Sequence, residues 1–186
     1  MHTAIAPSLP CAGQLTICFL NANNVDAMQS LQAEVYQNLP PDCKSFIVPK
    51  TMEDFNQHLK RPGSLAIGVF HGTELIAQCL IVNPSDEHPE TGMVDMRPLN
   101  CVPQEISVIQ GLLVSPRHRG LRIGARLIAE WQKVCAQGNK TRLLVETAVA
   151  NRYSWSLFLD AGIPIVSHGI DPTDDTHVFN HLKICN

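Results

Sequence analysis

Val114–Leu127 reads Val-Ser-Pro-Arg-His-Arg-Gly-Leu-Arg-Ile-Gly-Ala-Arg-Leu: the end of a strand, a tight basic loop and the start of a helix. Arg117, Arg119, Arg122 and Arg126 crowd with His118 around Gly120 and Gly124, in a chain whose net charge is −3. The first N–H groups of a helix have no intrahelical partner and carry the positive end of its dipole, so an anion docked there satisfies several donors at once. Gly120 and Gly124 let the main chain approach such a ligand with no Cβ in the way. The stretch is an anion site, and phosphate is the anion that suits it. The bland alternative is a solvated basic turn.

Two phosphate-binding patterns are excluded. There is no Gly-Lys-Ser/Thr ending of a nucleotide P-loop and no Gly-x-Gly-x-x-Gly of a dinucleotide fold. The stretch resembles the acyl-CoA loop of the GNAT superfamily of N-acyltransferases, which reads hydrophobic-Val-x-Pro-x-x-Arg-Gly-x-Gly-x-Gly/Ala. Leu113 through Gly124 match every marked position except Arg122, where the family usually has glycine. Arg122 either projects outward and adds charge for the phosphates of CoA, or distorts the loop and weakens binding. The resemblance implies that Arg119, Gly120, Leu121, Arg122, Ile123 and Gly124 hold those phosphates. It further implies that the preceding strand splays from its neighbour, with main-chain bonds from Leu113 and Val114 to the pantetheine arm.

A second resemblance follows at Asn151–Ile163. GNAT enzymes commonly carry Asn-x-x-Ala-x-x-Leu-Tyr-x-x-x-Gly-Phe here, and this chain keeps Asn151, Leu157 and Gly162 at that spacing. The family tyrosine, which protonates the departing CoA thiolate, is Phe158, so the usual general acid is missing. Tyr153 does not replace it, because five residues along a helix place it well round from Phe158. Ser154, one turn earlier on the same face, could bond the sulfur or hold a water; as a small residue permitting close packing it needs no such role. Asn151 and Phe158 join the expected cofactor-binding set.

The remaining composition is that of one globular domain: 186 residues, 45% apolar and 17% charged, enough to build a substantial core. No terminal segment has a signal-peptide pattern and no apolar run approaches a membrane span, so the expectation is a soluble cytoplasmic protein. The seven cysteines are scattered, with no Cys-x-x-Cys pair, indicating neither a disulfide framework nor zinc. His177 and His181 have the i, i+4 spacing of a helical metal pair, but their surroundings read as a strand that turns both outward, and no metal is expected.

In chain order, residues 1–13 form an irregular lead-in. Leu15–Leu20 is a strand, and an Asn-rich turn can cap a helix at Asn24, with Met28, Leu31, Val35 and Leu39 on one face. Pro40-Pro41 stop it. A second helix starts at Thr51, where Thr51 and Asp54 suggest a capping box, and ends before Pro62-Gly63. Leu65–Phe70 and Glu74–Val82 form a hairpin through His71-Gly72-Thr73. Residues 83–104 are a long acidic loop, either a substrate lid or a surface insertion. Glu105–Val114 is the strand into the loop; the helix runs to about Gln137, with Ile123, Leu127, Trp131 and Val134 inward, and Arg142–Thr147 closes a parallel crossover. Ile163–Gly169 and Thr176–Ile184 complete an α/β fold: a GNAT-like mixed, mostly antiparallel sheet of about seven strands with helices on both faces.

The expected activity is transfer of an acetyl or other short acyl group from acyl-CoA to a primary amine by direct attack in a ternary complex, with no serine or cysteine nucleophile. The alternative is a CoA-binding sensor or interaction module that has lost catalysis, motivated by Arg122 and Phe158 together. Nucleic-acid binding is the weaker third class, because the basic residues are confined to one short loop. For the general base, many relatives carry a glutamate four or six residues before the valine matching Val114; here those positions are Gln110 and Val108. Gln110 can position a water or an amine, and Glu105 is the nearest carboxylate if a bulge turns it toward the cleft. Acetyl-CoA is the expected co-substrate, a small-molecule or peptide amine the expected partner, with neither nucleic acid nor membrane; a homodimer stays open.

Overall fold

The computed structural model describes residues 15–88, 101–171 and 175–185. Their seven strands are β1 (Leu15–Phe19), β2 (Leu65–His71), β3 (Glu74–Val82), β4 (Ile106–Val114), β5 (Arg142–Ala148), β6 (Ile165–Ile170) and β7 (His177–Ile184). They form one sheet in the order β1-β2-β3-β4-β5-β7-β6. Only β4 and β5 run parallel; every other neighbouring pair is antiparallel.

Among the described residues four α-helices cover the sheet: α1 (Val25–Gln37), α2 (Met52–Lys60), α3 (Ile123–Gln137) and α4 (Arg152–Asp160). The strands' two-residue alternation divides the interior in two. On one face Val25, Met28, Leu31 and Val35 of α1 and Phe55 of α2 pack with Ala66, Leu80 and Leu113. On the other, Ile123, Leu127, Ile128 and Trp131 of α3 and Phe158 of α4 pack with Ile67, Ile76, Ile109, Leu143 and Val145. Burying a side chain of this size is worth about 1.5–3 kcal/mol, and each such contact fixes a helix over the strands that form the site. Trp131 is fully buried, its indole N–H donating to Ser107 Oγ at 2.9 Å, so even the largest core side chain has its polar atom satisfied.

Several sequence expectations are corrected locally. Asn24 occupies the N-terminal position of α1 but its side chain makes no cap bond there. The cap is made one turn earlier: Asn21 Oδ1 accepts from Asn23 N–H, and Asn24 Oδ1 accepts from Asn21 N–H, each at 2.9 Å. The chain enters α1 through a short 3₁₀ turn that moves the cap upstream. Leu39 lies past the end of α1. The Thr51 capping box holds: Thr51 Oγ1 accepts from Asp54 N–H at 3.2 Å and Asp54 Oδ2 accepts from Thr51 N–H at 2.6 Å. The lead-in (1–13), residues 89–100 of the long loop and 172–174 of the last turn fall outside the described residues.

Candidate functional site

The parallel pair β4/β5 is joined only at its start. Ile106, Ser107 and Val108 pair with Arg142, Leu143 and Leu144, and among the described residues the pairing goes no further, although β4 continues to Val114 and β5 to Ala148. Two things turn β4 away. The first is a bulge: Gln78 faces Leu113 and Leu80 faces Gln110, so β4 spends one residue more than β3. The second is Gly111 at the bulge, with φ +52°, a left-handed conformation that glycine adopts without steric cost. Beyond it the two strands diverge, leaving main-chain groups of β4 facing a gap.

Which groups face it follows from the ladder. Ser115 N–H donates to Ile76 O of β3 at 2.8 Å, in register with the Val114–Ala77 and Leu113–Gln78 pairs. Since alternate residues of a strand point their N–H the same way, the Leu113 amide also points at β3, whereas the amides of Leu112 and Val114 point into the gap. The main chain of Val114 thus faces the gap, as does that of Leu112, which the sequence reading passed over because the one-residue step at Gly111 is invisible without the pairing. The Leu113 main chain pairs with β3 and its side chain is buried against α1.

At the mouth of the gap the chain makes a 3₁₀ turn at Pro116–His118 and enters α3. Gly120 has φ +81° and an added Cβ there would meet nothing within 4 Å. Arg122 sits immediately before α3 with φ 56° and ψ 24°. The loop thus keeps a left-handed residue at the position where the family has glycine, with an arginine bearing the cost, of order 1–3 kcal/mol. Gly124 packs tightly: its Cβ would fall 2.9 Å from Leu157 of α4 and 3.6 Å from Leu112. Arg119, Leu121, Arg122 and Arg126 are exposed, and Ile123 is buried beneath them.

Arg117 differs from the other arginines. Its Nε donates to Glu34 Oε1 of α1 at 2.9 Å, and its Nη2 bonds Glu74 Oε1 of β3. The two carboxylates hold its guanidinium pKa up, chiefly through the hydrogen bond to Glu34. Ser115, fully buried, donates from Oγ to the same Glu34 oxygen at 3.2 Å. Glu34 anchors the loop from behind and spends Arg117 on structure.

The second motif forms α4. Asn151 Oδ1 accepts from Ser154 N–H at 3.2 Å, so the Asn151 oxygen serves as an N-cap. Trp155 Nε1–H donates to Val149 O at 3.0 Å, tying α4 to the end of β5. Tyr153 is 92% exposed, consistent with its exclusion as an acid. Ser154 and Leu157 lie on the half-buried side of the helix, and Phe158 is buried. The Phe158 ring centroid is 5.9 Å from that of His181.

His181 is fully buried rather than turned outward, and His177 is the exposed member of that pair. Its Nδ1 lies 3.0 Å from Ile163 O, and its Nε2 lies 3.0 Å from Thr147 Oγ1 of β5. A carbonyl only accepts, so Nδ1 carries the proton and donates; the bare Nε2 then accepts from the Thr147 hydroxyl. Burial lowers the His181 pKa from its ordinary value, opposed by the bond to Ile163.

The three expected catalytic residues are not brought together. Glu105 ends a short 3₁₀ turn before β4, where Oε2 accepts from Val102 N–H at 3.3 Å. It stands at the joined end of β4/β5, about 16 Å of strand from Gln110 at ~3.3 Å per residue. The bulge expected to turn it inward is at Gly111 instead. Gln110 is half-buried and pairs with Leu80. It lies two residues past Val108, and Glu146 two past Leu144, where the last inter-strand pair is made; by the period-2 rule both project to one face, on opposite lips of the gap. Glu146 was not singled out in the sequence because only the pairing register shows that it faces Gln110.

The model of the acetyltransferase (GNAT) family matches residues 26–163. No curated protein sequence matches the chain. Among solved structures, a putative acetyltransferase from Salmonella typhimurium with its cofactor acetyl-CoA superposes with TM-score 0.70 at 10% identity, covering 93% of this chain and 95% of that one. The ribosomal-protein-S18-alanine N-acetyltransferase from Escherichia coli gives 0.69 at 10% identity, covering 92% and 94%. An N-acetyltransferase from Thermoplasma acidophilum in complex with coenzyme A gives 0.67 at 13%, covering 92% and 99%.

Proposed function

The chain belongs to the acetyltransferase (GNAT) family, and from that membership we propose that it moves an acetyl group from acetyl-CoA to a primary amine by direct attack within a ternary complex. The observation that carries the reading is the separation of β4 from β5 beyond Val108 and Leu144, ending on the basic loop at the N-terminus of α3. The residues present fit CoA. An extended amide-bearing arm completes the open edge of β4 through the main chain of Leu112 and Val114. The pyrophosphate meets the first-turn amides of α3 and the loop main chain from Gly120 to Gly124, with Arg119, Arg122 and Arg126 adding charge.

The thioester carbonyl then lies against amides aimed at the gap, which favour the negative oxygen of the tetrahedral state. Holding amine and thioester together supplies much of the rate. Glu146 takes the proton from the incoming ammonium, directly or through a water, and Gln110 across the gap orients the amine. The acceptor is left at the level of a primary amine: a small amine, an amino acid or a peptide N-terminus.

Two measurements test the reading. Acetyl-CoA should bind saturably and more weakly as salt rises, and a panel of primary amines should yield an acetylated product with release of free thiol. A protein that binds CoA but acetylates no amine would instead be the sensor module, a reading favoured by Arg122 and Phe158. A protein that does not bind CoA would refute both.

A further inference from the structure

Phe158 leaves the site without a phenol, yet a polar chain lies directly behind its ring. Thr147 and His181 are 5% and 0% exposed, and both belong to the face of the sheet that α4 covers. Thr147 lies on β5 beyond its last pair with β4, across the gap from Leu112 and Val114. A buried imidazole needs partners for both nitrogens, but a core that needed only packing could hold an apolar residue here. The chain of bonds also has a direction: Ile163 O fixes Nδ1–H, so Nε2 is a bare acceptor facing a hydroxyl on the strand that borders the gap.

We propose that Thr147 and His181 form a proton relay that takes over the work of the missing tyrosine. The inference rests on the acetyl-transfer reading above. In the tetrahedral state the attacking nitrogen is positively charged and the sulfur leaves as thiolate; both are bonded to one carbon, so a single hydroxyl beside that carbon reaches both. The nitrogen's proton passes to Thr147 Oγ1 as the Thr147 proton passes to His181 Nε2. The C–S bond then breaks, the imidazolium returns its Nε2 proton to Oγ1, and Oγ1 gives its own to sulfur. One N–H bond and the C–S bond are lost, one S–H bond forms, and Thr147 and His181 end as they began.

The surroundings support the neutral resting state. His181 is faced by Phe158 from α4, by Val145 and Thr147 from β5, and by Ile163 and Ile165 on the way into and along β6. Lys183, next along its own strand face, bonds Gln132 Oε1 of α3 at 3.0 Å. Glu146 projects from the opposite face of β5. Burial lowers the imidazole pKa, keeping Nε2 free to accept at neutral pH.

Thr147→Val removes the hydroxyl at nearly constant volume, and Thr147→Ser restores it. With an amine that the wild type acetylates, Thr147→Val should lower kcat by about 10²-fold, the lower end for general acid–base catalysis. It should change acetyl-CoA affinity little, and Thr147→Ser should recover most of the loss. A second readout needs no acceptor: in ¹⁵N-histidine-labelled protein, CoA with its free thiol bonded to Thr147 Oγ1 should perturb the His181 Nε2 resonance in the wild type and Thr147→Ser, and not in Thr147→Val, the imidazole staying neutral throughout. Wild-type kcat in Thr147→Val, or a His181 resonance indifferent to CoA, overturns the relay. Failure of the wild type to bind acetyl-CoA overturns the acetyl-transfer reading instead.

Discussion

Arg122→Gly separates two contributions that the wild-type loop combines. Arg122 has φ 56° and ψ 24°, one residue before α3. Left-handed geometry costs a non-glycine residue roughly 1–2 kcal/mol, partly offset because glycine loses more backbone entropy on folding, about 0.5–1 kcal/mol. The glycine variant should therefore gain about 1 kcal/mol of stability, raising Tm by about 2–4 °C in a domain of this size. Ligand binding should move the other way. A direct charge-assisted bond to phosphate is worth about 1.5–3 kcal/mol, so losing it raises the Kd for acetyl-CoA by roughly 10- to 150-fold.

Opposite signs in two measurements on one variant make the reasoning testable. Calorimetric melting without ligand reads the backbone term, and titration with acetyl-CoA at several salt concentrations reads the side-chain term, whose salt slope should flatten by about one phosphate contact. Tighter binding together with a higher Tm would refute the side-chain argument and identify Arg122 as an obstruction. A lower Tm would refute the strain argument.

Three further outcomes follow from the site and a fourth from the half-buried His58 of α2. Glu146→Gln should lower turnover by about 10²–10⁴-fold and remove the acidic limb of the pH–rate profile, while Glu105→Gln, at the joined end of the strands, should leave both unchanged; the reverse result would restore Glu105 as the base. Glu34→Gln, which weakens the shared anchor of Ser115 and Arg117, should raise the acetyl-CoA Kd by a small factor, at most about fivefold for an exposed pair; an unchanged Kd would show that the loop holds its shape alone. Phe158→Tyr should leave acetyl-CoA affinity nearly unaltered and raise kcat only if thiolate protonation is slow; an effect confined to binding would show the pocket is shaped for Phe. His58 lies at 2.8 Å from Leu65 O with its pKa lowered by burial. Its neutral form is thus favoured by folding, a contribution present in full above the ordinary imidazole value and lost as pH falls through the depressed one; Tm measured against pH should drop on the acid side, less steeply in His58→Gln.

Much of the fold was legible because the deciding signals are local. Thr51 and Asp54 are three residues apart and satisfy each other's backbone, so their sequence suffices to place a helix start. Gly72-Thr73 lies between two apolar strands and the hairpin follows. The candidate site was legible only where it too is local. Gly120 and the left-handed Arg122 belong to one turn, and the motif reading located them. Glu146 and Gln110 are 36 positions apart and share one face of the sheet only through the register that ends at Leu144 and Val108. Thr147 and His181 depend equally on the β5/β7 pairing. Which amides of Leu112, Leu113 and Val114 face the gap was hidden for a related reason: one extra residue at Gly111 reverses the alternation, and an isolated glycine in an apolar run does not say on which side the bulge opens.

The two departures from the family pattern act on different parts of the site. On the acetyl-transfer reading Arg122 changes what would meet the phosphates, yet its backbone takes the left-handed conformation a glycine would, so the amides entering α3 keep their direction. On the same reading Phe158 changes what would meet the sulfur, and it is packed as a core aromatic ring, 2% exposed against His181. A site drifting toward loss of function has no reason to keep a strained residue in its glycine conformation, since relaxing the loop would recover about 1 kcal/mol or more. The buried imidazole of His181 carries no such penalty, because both of its nitrogens are satisfied. The strain at Arg122 persists, and selection for stability alone would tend to remove it. That retained strain favours a catalytic site with altered parts over a binding module with relics.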